Sequence, residues 1–187
     1  MSNTLHKIAL TVVSIALTGC GGLVRHDGEV AVGIDGLACF GGPPVPPAGV
    51  VETAAPALLD QARAASENGG ICAGKVFSVQ RSVRVYRVWD SSKSHSRIGR
   101  WWSLNRPNES RETYRQTYAI CPSWSALDHL VSCDLVAGSL VVIGTTQSAA
   151  CEDGVHPKTS MNQVYIANNP AQDQVFVENC KDEGAWP

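Results

Sequence analysis

The segment VYRVWDSSKSHSRIGRWWSL, residues 85–104, combines arginines with tryptophans, which are side chains suited to holding a flat anionic ligand. Arg87 follows Val85 and precedes Trp89 at alternate positions, so a strand would place it on the apolar face. A guanidinium there is costly unless it finds a partner, and its planar fork can bind two phosphate oxygens. Taken alone, the strand favours the alternative, an arginine that reaches solvent or pairs with an aspartate or glutamate.

The run Gly99 to Leu104 supplies the aromatic part of the same segment. Alternation sends Trp101 and Ser103 to one face, and Trp102 and Leu104 to the other. One tryptophan is therefore expected in the core, while the other is free to stack on a flat cationic ring. The alternative is that both tryptophans only pack.

Two later segments add polar candidates. Gln163 stands in the polar run that enters the strand QVYIAN, and its amide can both donate and accept a hydrogen bond to a sugar hydroxyl. Tyr114 and Arg115 fall on a short predicted helix in NESRETYRQTYAI, for which Asn108 or Ser110 is the expected N-cap.

The elements that must position these side chains are mainly strands. Period-two alternation predicts strands in KVFSV, VRVYRVW, GSLVVIG, QVYIAN and DQVFVEN. Residues 53–68 predict one earlier helix, with Thr53 as its cap, Pro56 in its first turn and Gly69 after its end. Because no βαβ rhythm is present, the sequence predicts an α+β fold.

The N-terminus predicts export and a lipid anchor. Residues 1–19 read as a signal peptide, and Leu17 to Cys20, LTGC, resembles the bacterial lipobox, in which the cysteine is lipid-modified after cleavage. Gly21 then favours the outer membrane, facing the periplasm or the cell surface. A plain signal with an incidental cysteine is the alternative. Residues 20–51 are expected to form a Gly/Pro-rich tether, and residues 52–187 a single globular domain.

Six further cysteines remain once Cys20 is assigned to the anchor. An even number in an exported chain predicts a disulfide framework with fifteen possible connectivities. No C-x-x-C pair is present, and Asp134, Glu152, Asp153 and His156 are expected to decorate a loop, so no metal site is predicted. The disulfide candidates are Cys39, Cys72, Cys121, Cys133, Cys151 and Cys180.

Charge restricts the class of partner. The net charge is −2, which argues against nucleic acid as a ligand. Nine basic residues nevertheless lie between positions 81 and 115. A local cationic zone in a mildly acidic chain favours a small anionic ligand.

Taken in order, the motifs resemble a known family. Tyr-Arg-x-Trp at 86–89, Gly-Arg-x-Trp-Ser at 99–103, Tyr-Arg at 114–115 and Gln-x-Tyr-Ile at 163–166 are similar to toxin-type ADP-ribosyltransferase and NAD-glycohydrolase domains. These domains occur in bacterial polymorphic toxins and in the tuberculosis necrotizing toxin group. The resemblance covers roughly residues 83–178 and implies a small split antiparallel β-sheet core with one or two helices, here stabilised by disulfides.

The resemblance also implies roles for individual residues. Arg87 would contact the NAD phosphates, and Ser103 would support the nicotinamide-ribose side. Trp102 or Trp101 would stack on the ring, and Gln163 would contact the ribose. Tyr114 and Arg115 would form a supporting pair, with Arg115 as a second phosphate contact.

The activity so implied is cleavage of the bond between nicotinamide and ribose, with NAD as substrate and no resident cofactor. Asn162-Gln163 stands where protein-modifying transferases usually carry a carboxylate pair, which favours hydrolysis or transfer to an acceptor other than arginine. Such a protein would act as a toxin or effector. The alternative is a non-enzymatic lipoprotein, an immunity or envelope interaction module with a protein partner, in which Arg87, Trp102 and Gln163 are structural.

Overall fold

The computed structural model describes residues 30–42, 45–64 and 69–187. Over these ranges the chain has the predicted α+β class, with antiparallel sheets and two α-helices. The proposed signal peptide and Cys20 lie outside the described residues. No helix in the described ranges is both long and apolar enough to cross a bilayer.

In chain order the elements are β1 Val50–Thr53, α1 Pro56–Ala64, β2 Ile71–Val79, β3 Arg84–Trp89, β4 Trp101–Trp102, α2 Arg111–Thr117, β5 His129–Leu135, β6 Leu140–Thr146, β7 Ala149–Cys151, β8 Gly154–His156, β9 Asn162–Ile166 and β10 Val177–Ala185.

Two sheets pack face to face around the main core. The larger has the strand order β1-β2-β6-β9-β4, the smaller β10-β5-β3, and β7 with β8 forms a separate hairpin. Alternation decides which side chains meet between the sheets. In β6, Val141 and Ile143 point into this core, where they meet Val85 of β3 and Val131 of β5. Apolar burial between the sheets therefore fixes β3 opposite the larger sheet.

The two helices cover the outer faces of the sheets. Ala62 of α1 packs on Val142 and Tyr165, which lie on the other side of the larger sheet from its core face. Tyr114 of α2 packs against Val88 and Trp186 on the outer side of the smaller sheet. The central strands β6 and β9 of the larger sheet are thus buried on both faces, as their apolar runs require.

The helix boundaries agree only partly with expectation. Ser110 caps α2, because its side chain accepts a hydrogen bond from the backbone nitrogen of Thr113, as predicted. Thr53 does not cap α1: it pairs with Val76 as the last residue of β1, and the helix begins at Pro56. Strand pairing has displaced the predicted cap.

The strand prediction missed β1 and β5. β1 begins at Val50, inside the segment expected to be a tether, and pairs with β2. β5 carries Ser132 and Asp134 on its outer face, where polar residues interrupt the apolar pattern. The last strand begins at Val177 instead of Asp173 and runs to Ala185.

The predicted disulfide framework is confirmed with one connectivity. Cys39 bonds Cys72, Cys121 bonds Cys151, and Cys133 bonds Cys180. The first bond pins the segment around Cys39 onto β2, and the third joins β5 to the region of β10. Cross-links of this kind stabilise a domain by restricting the unfolded chain.

Glu183 makes the stability of β10 depend on pH. Its carboxylate accepts hydrogen bonds from Arg106 and Ser132, both at 2.8 Å. These donors, Arg106 first, lower the pKa of Glu183 from 4.5 to about 2. Since the folded-state pKa is depressed, the stabilisation is present above the ordinary value and is lost as the pH falls towards about 2.

We therefore expect thermal melts between pH 6 and 2.5 to show a fall in melting temperature that is shallower in Glu183→Gln. The matched control is Glu178→Gln, because Glu178 is an exposed carboxylate on the same strand. Its melting temperature should depend on pH as that of the unaltered protein does. Identical pH profiles for Glu183→Gln and the unaltered chain would rule out this role for Glu183.

Candidate functional site

A cavity of about 720 Å³ lies beside β3, β4, β9 and α2. Five of the residues proposed from the sequence line it: Arg87, Trp101, Trp102, Tyr114 and Gln163. They come from four separate elements, so only the folded chain brings them together. Ligand pockets for small molecules usually measure about 300–1,000 Å³, and this cavity falls within that range.

Arg87 is the cationic centre of the cavity. Its Nε donates to the Ser96 carbonyl at 2.9 Å, and its Nη1 donates to the Trp101 carbonyl at 2.8 Å. Within the described ranges no carboxylate pairs with it, and its Nη2 makes no hydrogen bond to another residue. Burial lowers the pKa of Arg87 to about 10, so the guanidinium stays charged at neutral pH. Nε and Nη1 are thus fixed, and Nη2 is left for an anion.

Gly99 makes room for this guanidinium. A Cβ at Gly99 would collide with the Nη2, Cζ and Nε atoms of Arg87. The absence of a side chain therefore lets the backbone cover the flat face of the arginine. The turn Ser94–Arg97 and strand β4 on either side of Gly99 supply the two carbonyls that orient it.

The two tryptophans differ in how available they are. Trp102 is 2% exposed, and its Nε1 donates to the Gly99 carbonyl at 2.8 Å. Its ring therefore packs in the main core and is held in one orientation. Trp101 is only partly buried and lies 4.9 Å from Tyr165, ring centre to ring centre. Of the pair, Trp101 is the better candidate for stacking on a ligand, whereas Trp102 forms a fixed wall.

Two tyrosines of α2 and its C-cap complete the aromatic wall. Tyr114 and Tyr118 pack with ring centres 4.5 Å apart, and both line the cavity. Burial raises the pKa of Tyr118 to about 12, and the nearby negative charge of Glu109 adds to this shift. Burial also raises the pKa of Tyr114. Both hydroxyls therefore remain protonated at neutral pH and can donate a hydrogen bond.

Gln163 is held by the segment before β2. It is 4% exposed, and its Nε2 donates to the Gly70 carbonyl at 2.7 Å. Its Oε1 accepts no hydrogen bond from the described residues. Because the amide nitrogen is fixed, the carbonyl oxygen is the group that Gln163 can offer to a ligand.

Ser103 and Arg115 lie outside the cavity lining. Ser103 is buried where β4 meets β3, and its Oγ donates to the Asn105 carbonyl at 2.9 Å. Arg115 donates to three backbone carbonyls, those of Ile120, Cys121 and Ser125. These contacts brace the chain from 120 to 125, which itself contributes Ile120 and Ser125 to the cavity wall.

Sequence reasoning did not single out His95, Arg100, Tyr118 and Trp124, which also line the cavity. Arg100 was visible only as a member of the basic zone between residues 81 and 115 and of the motif Gly-Arg-x-Trp-Ser, and His95 carried no signal. Arg100 is exposed and forms no ion pair within the described ranges. None of the lining residues is an aspartate or a glutamate, so the cavity is cationic in character.

A possible metal cluster lies elsewhere, at Cys151, Asp153 and His156. The sulfur of Cys151 is bonded to Cys121, so it offers no thiolate to a metal ion. His156 contacts Asp153 at 3.2 Å instead. We base no function on this group.

Comparison with protein-family models, curated proteins and solved structures finds no match for this chain. Any function must therefore be argued from the cavity itself.

The three hydrogen bonds from Arg115 to backbone carbonyls should contribute to stability. In Arg115→Lys, the lysine ammonium cannot reach all three of these carbonyls as a planar guanidinium does, so some of them lose their donor. We expect the free energy of unfolding to fall by about 2 kcal/mol in urea denaturation. Arg81→Lys, on an exposed residue, is the control and should stay within about 0.5 kcal/mol of the unaltered protein. Equal stabilities for all three proteins would remove the bracing role from Arg115.

Proposed function

We propose that this chain binds NAD in the cavity beside Arg87 and cleaves the bond between nicotinamide and ribose. The observation that carries the proposal is a partly buried, charged arginine without a carboxylate partner in the described ranges, set in an aromatic cavity with no acidic lining. A cationic cavity with a guanidinium nitrogen left unbonded suits a diphosphate flanked by flat rings. The family resemblance at Arg87, Trp102, Tyr114 and Gln163 points to the same ligand.

The proposed binding mode assigns one part of NAD to each side of the cavity. Arg87 Nη2 donates to the diphosphate, and Arg100 at the exposed edge adds a second positive charge. Trp101 stacks on the nicotinamide ring, whose positive charge favours an aromatic face. The Tyr114 and Tyr118 hydroxyls and the Gln163 carbonyl are then the polar groups left for the ribose.

The proposed reaction is hydrolysis. The ribose–nitrogen bond breaks, its electron pair goes to the nicotinamide nitrogen, and neutral nicotinamide leaves. The positive charge that builds on the ribose is stabilised by the Gln163 carbonyl dipole and by the diphosphate that Arg87 orients. Water then adds to the ribose carbon and loses a proton to solvent, which gives ADP-ribose. With no carboxylate in the lining, transfer to a protein arginine is the less favoured outcome.

The fold and location belong to the same proposal. Two antiparallel sheets packed face to face with one helix on each outer face are compatible with the split-sheet core of ADP-ribosyltransferases. Lipidation of Cys20 would attach the protein to the bacterial envelope, most simply the outer membrane. NAD is scarce there, so a role as a toxin or effector that meets NAD in another cell fits the proposal best.

A second candidate, a non-enzymatic envelope or immunity module, is favoured by a different observation. Arg87 and Gln163 both donate to backbone carbonyls of neighbouring segments, at Ser96, Trp101 and Gly70. Such bonds stabilise connections between elements whether or not a ligand binds. The two candidates therefore make different predictions for variants that lack these side chains. The enzyme should lose NAD binding or cleavage, whereas the non-enzymatic module should lose stability alone.

The first test is release of nicotinamide from NAD by the oxidised protein lacking residues 1–20, followed by chromatography. Arg87→Ala should lower kcat/KM about 10- to 100-fold, because it removes a charged hydrogen bond to the diphosphate. Arg84→Ala is the matched control: Arg84 lies on the same strand but is exposed and pairs with Asp134 at 3.0 Å. It should keep full activity. Absence of both nicotinamide release and NAD binding by the unaltered protein would reject the enzyme and favour the module.

The second test separates catalysis from structure at Gln163. Gln163→Ala should lower kcat by more than it weakens NAD binding, because the carbonyl acts on charge that develops in the transition state. The readouts are steady-state kinetics, calorimetric NAD affinity and a thermal melt. Parallel loss of affinity, rate and melting temperature would instead assign Gln163 a structural role through Gly70.

A further inference from the structure

Residues 30–40 form a short two-stranded ribbon that the NAD proposal does not use. Val32 lies opposite Ala38, Gly33 nitrogen donates to the Leu37 carbonyl at 2.8 Å, and Cys39 nitrogen donates to the Ala31 carbonyl at 2.8 Å. We call residues 30–40 the apolar ribbon. In this register Val32 and Ala38 share one face, and Cys39 points to the other.

The inner face of the apolar ribbon is fastened to the domain. Cys39 is bonded to Cys72 at the start of β2. The buried Lys158 binds the Asp35 carboxylate at 2.6 Å and the Leu37 carbonyl at 2.8 Å. A Cβ at Gly33 would collide with Gln147, so the backbone lies directly against the body. These contacts fix which face the ribbon turns outward.

The outer face carries large apolar side chains that cover nothing in the domain. Alternation puts Val30, Val32 and Phe40 on this side, and they are 63%, 61% and 57% exposed. Ile34 and Leu37 lie in the turn of the ribbon and are 56% and 65% exposed. A disulfide and the ion pair between Lys158 and Asp35 keep the ribbon from turning over to bury these side chains. Exposed apolar side chains grouped in one short segment mark a surface that meets another apolar phase.

We propose that the outer face of the apolar ribbon rests in the interfacial layer of the membrane that carries the lipid on Cys20. The argument is one of distance: nine residues separate Cys20 from Val30, and at about 3.5 Å per residue the chain between them spans at most about 35 Å. An anchored chain therefore keeps the ribbon beside the bilayer. An apolar surface beside the anchor adds buried apolar area to the attachment, because binding strength at the interface scales with that area.

This inference rests on lipidation of Cys20 and is independent of the NAD activity. The occupant of the apolar face is a phospholipid surface, with acyl chains meeting the valines and Phe40. Contact between the ribbon and the membrane would also orient the domain, because the side of the domain that bears Cys39–Cys72 and Lys158 would then lie towards the membrane.

The test uses the full lipid-anchored chain in vesicles of phosphatidylethanolamine and phosphatidylglycerol whose acyl chains are brominated, because bromine quenches nearby tryptophan emission. Phe40→Trp places a reporter on the apolar face. Val51→Trp is the matched control, because Val51 is also 57% exposed but lies opposite Ser78, at the other end of β2 from Cys72. The five native tryptophans give the same background in both.

We expect brominated lipid to quench the added emission of Phe40→Trp at least twofold more than that of Val51→Trp. Adding Val32→Asp to Phe40→Trp should reduce the extra quenching by more than half, with an unchanged melting temperature. Equal quenching in the two reporters would overturn the proposal. Unquenched emission together with dimers in chemical cross-linking would also overturn it, because the face would then belong to a second copy of the chain. Mass spectrometry that finds no acyl chains on Cys20 would overturn it as well.

Discussion

The cavity depends on how Arg87 is held. A guanidinium placed on the inward face of β3, between Val85 and Trp89, must find hydrogen-bond acceptors or destabilise the fold. It finds them in the carbonyls of Ser96 and Trp101, which requires the chain after β3 to turn back over the arginine. This return path brings Gly99, Trp101 and Trp102 to the cavity and joins β4 to β9. One buried charge thus accounts for the course of the segment that the sequence marked as unusual.

The remaining walls are kept in place by cross-links and by a second arginine. Arg115 ties together the chain from 120 to 125, and the bond between Cys121 and Cys151 joins that same chain to the β7–β8 hairpin. On the opposite side, the Gly70 carbonyl accepts hydrogen bonds from the side-chain amide of Gln163 and the backbone nitrogen of Gln147, just before the cross-linked Cys72. The aromatic rings therefore line a cavity whose neighbouring segments are covalently cross-linked.

Local patterns were sufficient to predict the fold class, the facing of Arg87, the capping of α2 by Ser110 and a disulfide framework that includes Cys39. Each of these depends on spacing within a few residues or on the count of cysteines. The positions of Ser103 and Arg115 could not be obtained in this way. Ser103 is buried because it follows the two-residue β4 directly and forms a bridge with Tyr86 of β3. Arg115 faces inward because carbonyls exposed by the following turn need donors. Both outcomes depend on tertiary contacts that alternation does not describe.

The central claim is that Nη2 of Arg87 binds a diphosphate inside the cavity. A crystal structure of the oxidised domain with ADP-ribose, the proposed product, tests it most directly. The account predicts a diphosphate oxygen within hydrogen-bond distance of Arg87 Nη2, about 2.7–3.2 Å, with the ribose beside Gln163. ADP-ribose bound only to surface arginines such as Arg84, with the cavity empty, would contradict it.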